Sequence, residues 1–378
     1  MTSSLSTNTY YNQTNLCIHL QKMKPSFFTN LPSEIIPNIL SRLSVRSIAI
    51  SKCVCKAWRN LLVTDDFIDS HLSKSAPSLA VMMSMPDAYR CKVFELEDEL
   101  DLRHGYGPLT EFDFPDEATI EGSANGLLFL HNLDADFDIF YVCNPATREF
   151  CELLSLPQGI AYGFGASKIT GQHKVVCISP KLDCHVYTLG TGSWRRVEAT
   201  TASFDYSYSI FGTFVNGNLH WIVSSDSNDT ERICCFDVEN ECFSTFPAPP
   251  PLRDCRLDSR RRLFALRDCL CFCDESCYNE IAIWLMKETW CMDRVIRVTP
   301  YYGMYGFAYV QPIEVFGNGD ILMLCDAKIF MYYTNKTQTA REIGAFFGAK
   351  KNCITSTMLL TPTLVSLKSL GMKNVISF

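Results

Sequence analysis

Cysteine is the residue type in this sequence with the widest chemistry, because a deprotonated thiol is both a nucleophile and a metal ligand. The densest group is Cys269, Cys271, Cys273 and Cys277. Alternation along a strand would put the first three on one face, where they could approach a zinc ion. Residues on that face lie about 7 Å apart, which is too far for one tetrahedral site unless the strand bends. We therefore predict that these thiols are buried packing residues and that the chain binds no metal.

Catalytic motifs are the second kind of chemistry to look for. The seven histidines are scattered singly, and none belongs to a His-x-x-x-His pair. His220 lies in the strand-like run NLHWIV, where a structural role is expected rather than that of a base. The sequence has no Gly-x-Ser-x-Gly elbow, no phosphate loop and no dinucleotide fingerprint. We therefore predict no catalytic residues, no cofactor and no enzymatic activity.

Composition narrows the class of protein. The chain has 378 residues, 47% hydrophobic and 20% charged, which is too apolar for a disordered chain. Its 19 cysteines are an odd number in a chain too long for a secreted disulfide scaffold. Residues 1–28 do not resemble a signal peptide, and no apolar stretch approaches the roughly 18 residues that span a bilayer. We expect no membrane association and a location in the cytoplasm and/or the nucleus.

Charge is unevenly distributed along the chain, whose net charge is -7. The segment Glu95–Glu121 has ten acidic residues and one basic residue. The basic run Arg253–Arg267 has six arginines but is interrupted by acidic residues, so no nucleic-acid surface is predicted. As target-reading loops we favour residues 249–262 first and the acidic stretch 95–117 second. The candidate target-binding residues are Arg253, Arg256, Arg260, Arg261 and Arg262.

Residues 31–72 have the periodicity of short helices. Ile35, Ile39 and Leu43 recur at helical spacing, and Ser33 stands where a hydroxyl could cap the first helix. A second apolar pattern follows in VRSIAISKCVCKAWRNLL, and a third in DDFIDSHL. Three helices in about 40 residues bury little surface, so this unit needs a partner helix or the next domain to be stable.

After Pro77 the sequence reads as short strands that repeat. Turn dipeptides occur at Asn125-Gly126, Thr170-Gly171, Asn216-Gly217, Asp268-Cys269 and Asn318-Gly319, at spacings of 45 to 52 residues. An aromatic strand follows each turn, and a second aromatic position follows four of them. A strand repeat of this length is typical of propeller blades.

Five blades can be counted directly between about residues 120 and 345. We expect the strands after Pro77 to pair with TPTLVSL in a further blade that joins the two chain ends and leaves no open edge. Six blades are predicted, with seven as the alternative. A pair of β-sandwiches with accidental periodicity is the other alternative.

The helical segment resembles an F-box. The resemblance rests on the opening Leu31-Pro32, the Ile39–Leu43 core and the Val-Cys-Lys-x-Trp-Arg run Val54–Arg59. Ser44 stands where the family usually has proline. The β region resembles the plant F-box-associated or kelch-like repeat domain in GSANGLLFL, VCNPATREF, GTFVNGNLHWIV and IAIWLMKETW.

This resemblance implies a multidomain α+β chain, a small three-helix F-box followed by an all-β propeller of about six kelch-like blades. It implies the substrate-recognition subunit of an SCF-type ubiquitin ligase, in which the F-box binds a Skp-type adaptor of the cullin-RING core and the propeller binds an unidentified target protein. The residues then expected to face the adaptor are Leu31, Pro32, Ile35, Ile36, Leu40, Leu43, Val45 and Trp58. Ile39, Leu40 and Trp58 could equally be internal packing.

Two alternatives remain open from the sequence. One is an S-locus-type F-box protein whose targets are pollination ribonucleases. The other is a propeller enzyme or metal-binding protein with a degenerate F-box. The expected division is a disordered tail at 1–28, the F-box at 29–72, a linker at 73–78, the propeller at 79–368 and a C-terminal tail at 369–378.

Overall fold

The structure is a computed structural model. It describes residues 32–86, 88–96, 107–132, 138–153, 157–197, 204, 210–224, 231–250, 261–266, 268–275, 280–297, 309–343 and 354–378. Among the helices within these ranges, none is long and apolar enough to cross a membrane.

The N-terminal unit consists of short helices. They are α1 (Ile35–Leu40), α2 (Val45–Ser51), α3 (Lys56–Leu61) and α4 (Asp65–Leu72). The predicted second helix is thus two helices, and the Cys55 thiol accepts the Trp58 N–H at the start of α3. Ser33 was wrongly expected to cap α1, because Glu34 occupies that position and caps nothing with its side chain. Ser44, which replaces the usual proline, instead caps α2 by accepting the Ser47 N–H.

The rest of the described chain is β structure, arranged in six sheets. Blades 1 to 3 contain β1 (Ser78–Met85), β2 (Ala88–Glu95), β3 (Thr110–Phe114); β4 (Ala118–Ala124), β5 (Leu127–Asn132), β6 (Ile139–Asn144), β7 (Glu149–Glu152); and β8 (Ala161–Ala166), β9 (His173–Ile178), β10 (Cys184–Thr188), β11 (Trp194–Val197).

Blades 4 to 6 follow in the same order. They contain β12 (Thr213–Val215), β13 (Asn218–Ser224), β14 (Glu231–Asp237), β15 (Cys242–Pro247); β16 (Arg261–Leu266), β17 (Cys269–Asp274), β18 (Glu280–Met286), β19 (Trp290–Arg297); and β20 (Val310–Val315), β21 (Ile321–Cys325), β22 (Ile329–Thr334), β23 (Thr339–Glu342). Finally, β24 (Ile354–Leu360) joins blade 1, and β25 (Ile376–Ser377) joins blade 2.

The sequence repeat corresponds to the blades, which confirms the predicted six-blade propeller. Each turn landmark lies between the first two strands of a blade, and residues such as Asn125, Asn216 and Asp268 adopt the positive φ that such tight turns require. The aromatic landmarks lie on the third and fourth strands. Of these landmarks, Phe236 is buried in the cluster between blades 3 and 4, and Tyr141 and Phe150 are buried in the cluster between blades 1 and 2.

The ring closes through the two ends of the β region. Strand β1 pairs antiparallel with β24, from Ser78 beside Leu360 to Met83 beside Ile354. The expected closure is therefore present, but the predicted segment was wrong. Residues 354–360 pair with β1, and TPTLVSL is the segment that follows them. This arrangement leaves no unpaired edge at the junction.

The inner strands β24, β4, β8, β12, β16 and β20 surround a central channel and run parallel to one another. The Ile120 N–H donates to Ser356 Oγ at 2.7 Å between blades 2 and 1. Thr213 Oγ1 donates to the Leu263 carbonyl at 3.0 Å between blades 4 and 5. The channel therefore has a mouth where the inner strands begin and a mouth where they end.

Residues 361–378, which we call the C-terminal strap, cross from blade 1 to blade 2. Leu367 and Met372 are buried in the core between blades 2 and 3, and β25 adds to the outer edge of blade 2 beside β7. Phe378 stacks on Phe150 with ring centroids 4.7 Å apart. The segment expected to be a tail from residue 369 is thus in contact with the propeller.

Candidate functional site

Helix α1 presents two apolar faces with different surroundings. Ile35 and Ile39, four residues apart, are exposed, and Ile39 is 56% exposed. Leu40 is only 3% exposed, and Ile36 packs beside it in a buried cluster. The helix therefore uses one face for internal packing and leaves the other apolar face in contact with solvent.

The buried cluster joins the helices to the propeller. Val45, Ile48 and Phe67 of the helical unit pack with Leu364 of the C-terminal strap. The partly buried members from both sides are Ile36, Leu43, Trp58, Leu61, Leu109, Ala146 and Val365. We call this set, with Leu40, Leu62 and Ile68, the junction cluster. Leu40 and Val45 were expected to face an adaptor, but here they are internal packing residues, because the short helices cannot enclose them without the propeller.

The remaining predicted adaptor residues divide between surface and core. Pro32 is exposed, and Leu31 lies outside the described residues. Ile36, Leu43 and Trp58 are half-buried in the junction cluster.

Four exposed large apolar residues of the helical unit were not on the predicted list: Ile39, Ile50, Val54 and Val63. Ile50 and Val54 are both at least half exposed and lie four residues apart. The signal for Ile50 was present in the sequence, because it falls opposite the buried stripe of Val45 and Ile48 on α2.

Polar bonds hold the C-terminal strap under the helices. Asn144 Nδ2 donates to the carbonyls of Thr363, at 3.2 Å, and Val365, at 2.6 Å. The Glu149 carboxylate accepts the Ser366 hydroxyl at 2.9 Å and the Leu367 N–H at 2.8 Å. Both acceptor and donor groups come from the NPATRE turn of blade 2, so this turn does more than connect two strands.

One glycine shows how closely the C-terminal strap approaches. Gly126 adopts φ +82°, and a Cβ there would lie 2.5 Å from the carbonyl oxygen of Thr361. The Asn125-Gly126 turn therefore requires glycine both for its backbone angle and for the passage of the chain across it.

A buried histidine of α4 links this helix to the segment between α1 and α2. His71 is buried, its Nε2 lies 3.0 Å from the Leu43 carbonyl, and its Nδ1 lies 3.1 Å from Ser75 Oγ. Burial lowers its pKa below the usual value, so the ring is neutral near pH 7. Lys74 Nζ adds a bond of 2.8 Å to Ser41 Oγ.

The central channel holds a cavity of about 1310 Å³. Its wall is formed by strands from five blades, and its charged residues are Glu121, Asp268, Glu314, Asp326, Arg262 and Lys328. The mouth where the inner strands end contains Asn125, Asn216 and Asp268 and lies on the side of the helical unit. We call this the proximal mouth, and the opposite one, at Arg262 and Tyr309, the distal mouth.

Adjacent arginines on β16 have different environments. Arg261 is buried, forms ion pairs with Glu231 and Asp274, and donates from Nη2 to the Pro249 carbonyl at 3.1 Å. It was wrongly expected to bind a target, because its charge is already neutralised between blades 4 and 5. Arg262 is exposed and lines the channel.

The other predicted target-binding arginines cannot be placed. Arg253, Arg256 and Arg260 lie outside the described residues. The acidic stretch 95–117 is only partly described, since residues 97–106 fall outside.

The cysteine group lies in a core rather than in a polar site. Cys271 and Cys273 are buried on β17 in the cluster between blades 5 and 6, together with Cys325. Burial raises the pKa of the Cys271 and Cys273 thiols, which keeps them protonated and therefore poor ligands. Cys277 lies outside the described residues, and among those described no three metal-type side chains form a group. His220 is buried, and its Nδ1 lies 3.3 Å from the Thr213 carbonyl.

Comparison with solved structures finds chains of low sequence similarity. The chain matched in "Crystal structure of Nidogen/Laminin Complex" has a TM-score of 0.46 and 9% identity, covering 75% of this chain and 98% of that chain. AofleA from Arthrobotrys oligospora has a TM-score of 0.45 and 10% identity, covering 77% and 90%.

Sequence comparison finds plant relatives over most of the chain. The F-box protein CPR1 of Arabidopsis thaliana is 24% identical over 327 residues, which is 75% of this chain and 76% of that protein. The F-box protein At3g07870 of the same plant is 28% identical over 303 residues, 69% of this chain and 71% of that protein.

Family models match both units. A model of the F-box domain matches residues 28–69, and a model of the F-box associated beta propeller domain matches residues 81–357. F-box proteins are in general non-catalytic adaptor subunits. Because the second match spans most of the chain, the chain belongs to the plant F-box proteins that carry an F-box associated beta propeller domain.

Proposed function

We propose that this chain is the substrate receptor of an SCF-type ubiquitin ligase. The F-box binds a Skp-type adaptor of the cullin-RING core, and the propeller holds the protein to be ubiquitinated. The receptor contributes no bond-making group, because its effect is to raise the local concentration of a target lysine near the ubiquitin-loaded enzyme.

The exposed face of α1 is the observation that carries this proposal. Ile35 and Ile39 are large aliphatic residues left in water on one face of α1. Leaving such residues exposed together costs free energy unless another surface covers them. Pro32, Ile50 and Val54 extend the exposed apolar surface of the F-box. The propeller cannot be the missing cover, since it already occupies the opposite face through the junction cluster.

Co-expression with a Skp-type adaptor tests the proposal. The test variant is the double substitution Ile35→Asp/Ile39→Asp, which places charges on the exposed face without touching the junction cluster. The matched control is Ile169→Asp, a residue that is 81% exposed on a propeller turn. We expect the wild type and the control to co-purify with the adaptor in equal amounts, and the double variant to lose it.

Two results would contradict the proposal. One is a wild-type chain that is well folded by circular dichroism but brings down no adaptor. The other is a double variant that binds the adaptor as well as the control does, which would place the contact on another surface.

A further inference from the structure

The distal mouth of the channel lies on the side of the propeller away from the F-box. The inner strand β24 ends at Leu360, immediately before the C-terminal strap residues that contact the F-box. Arg262 and Tyr309 lie instead at the starts of β16 and β20. Since the inner strands run parallel, the described part of the F-box lies away from this mouth.

Arg262 is placed there as an unneutralised cation. Its guanidinium carbon lies 4.2 Å from the centroid of the Tyr309 ring, and among the residues that the structure describes no carboxylate forms an ion pair with it. Stacking on an aromatic face leaves the N–H groups at the edge of the guanidinium free to donate. The contrast with the buried Arg261, which has two carboxylate partners, is direct.

A polar wall continues from Tyr309 into the channel. The Tyr309 hydroxyl donates to Gln311 Oε1 at 3.2 Å, and Gln311 Nε2 donates to the Thr357 carbonyl at 3.1 Å. Thr357 is only 2% exposed, lines the cavity, and its Oγ1 has no hydrogen-bond partner among the described atoms. This chain of bonds fixes the ring beneath Arg262 and leaves an unused donor deeper in the wall.

We propose that the distal mouth binds a carboxylate of the target protein through Arg262, with Tyr309 holding the guanidinium in place. The proposal rests on the target-holding role of the propeller and names the chemistry of the recognised group. A carboxylate matches the planar fork of a guanidinium, which can donate two parallel bonds to it. The carboxylate could come from an acidic side chain or from the C-terminus of a chain.

The acidic residues of the channel accept hydrogen bonds of their own or lie at the proximal mouth. Asp326 accepts the Tyr309 N–H at 3.1 Å, and Asp268 lies at the proximal mouth. Glu314 accepts the Val315 N–H at 2.9 Å. Glu121 accepts the Thr119 hydroxyl, and burial raises its pKa to about 7, so it carries only part of a negative charge at neutral pH. Lys328 adds a second positive charge near the mouth.

Two positional heptapeptide libraries test the proposal on the full-length chain. One library has free C-termini, and the other is acetylated and amidated. If a side chain is recognised, Asp or Glu will be enriched at least tenfold over Asn or Gln at one position in both libraries. If a chain terminus is recognised, binding will be confined to the library with free carboxylates. Arg262→Gln should reduce either selection at least tenfold.

Matched variants separate recognition from folding. Arg297→Gln changes an arginine of the same blade whose side chain is 85% exposed on the outer strand, and it should select as the wild type does. Arg262→Lys keeps the charge but loses the planar fork, so it should retain part of the selection. Arg262→Gln should unfold at the wild-type temperature, because the Arg262 side chain forms no ion pair with the residues that the structure describes.

Other outcomes would overturn the proposal. These are enrichment of Lys or Arg that Glu121→Gln abolishes, selection of acidic peptides that survives Arg262→Gln, or no enrichment by the folded wild type. The assay needs no adaptor. A chain that binds the adaptor but selects no carboxylate refutes this inference alone, whereas one that selects carboxylates but binds no adaptor refutes the ligase assignment alone.

Discussion

The F-box and the propeller solve the burial of apolar side chains in opposite ways. The propeller closes on itself, so residues such as Phe236 and Val176 are fully buried between sheets. The F-box buries Ile48 and Leu62 only with help from Leu364 of the C-terminal strap, and it leaves Ile39 in water. The difference teaches that the propeller can be stable alone, whereas the F-box depends on the propeller on one side and on a partner on the other.

Breaking the propeller should affect both units, and this is the largest expected effect. Arg261→Ala removes the cation from a buried ion-pair network with Glu231 and Asp274. Such a loss costs about 3–5 kcal/mol of unfolding free energy. In urea titrations followed by tryptophan fluorescence and by circular dichroism, both signals should shift together. Arg297→Ala should change neither by more than about 0.5 kcal/mol, and an equally small effect of Arg261→Ala would refute the prediction.

Destabilising the F-box core should leave the propeller folded. Ile48→Ala removes a fully buried side chain of the junction cluster and should cost the F-box about 2–4 kcal/mol. Hydrogen exchange should accelerate in α2 and α4 but not in blades 4 and 5. Ile50→Ala, at an exposed position of the same helix, is the control. An equal loss of protection in the distant blades would show that the propeller depends on the F-box.

The contact between the units is tested at the C-terminal strap. Glu149→Gln weakens the bonds from the Ser366 hydroxyl and the Leu367 N–H, because an ionised acceptor forms the stronger bonds. We expect a loss of about 1–2 kcal/mol and faster cleavage of the C-terminal strap by carboxypeptidase. Glu152→Gln, at an exposed position three residues further along β7, serves as the control. Unchanged cleavage in Glu149→Gln would mean that apolar contacts alone hold the strap.

Acid gives the smallest effect and acts on both units. Burial lowers the pKa of His71 in the F-box, and it lowers that of His173 in blade 3 to about 4. The unfolded chain then binds more protons than the folded one below about pH 6.5, so stability is lost as the pH falls. We expect on the order of 1 kcal/mol from His173 between pH 6.5 and 5.5. His173→Gln should reduce the pH slope of propeller stability, and an unchanged slope would contradict this.

The repeat of turns and aromatics predicted the blades because every blade makes the same local demands. Turns need Asn, Asp or Gly at positive φ, and the third and fourth strands of the blades carry aromatic residues at fixed intervals. These are local rules, so one sequence is enough to read them. The F-box motif was similarly visible in residues 54–59.

Long-range contacts could not be read in that way. Whether Leu40 or Ile39 faces solvent depends on where the propeller lies, and a six-residue helix with apolar residues on both sides does not decide it. Residues 354–360 and TPTLVSL are adjacent strand-like segments, and either could have paired with β1. The sequence pattern does not decide between them. One error was avoidable, since Arg261 and Arg262 are neighbours on a strand and must point to opposite faces.

The two faces of α1 are tested most directly with the variants Ile39→Asp and Leu40→Ala. For each variant, calorimetry measures the affinity for the adaptor, and a melting curve measures the unfolding temperature. The account predicts that Ile39→Asp binds the adaptor at least tenfold more weakly with an unchanged unfolding temperature. It predicts that Leu40→Ala lowers the unfolding temperature of the F-box and, below that temperature, binds within about twofold of the wild type. Wild-type affinity in Ile39→Asp, or a larger binding loss in Leu40→Ala, would contradict it.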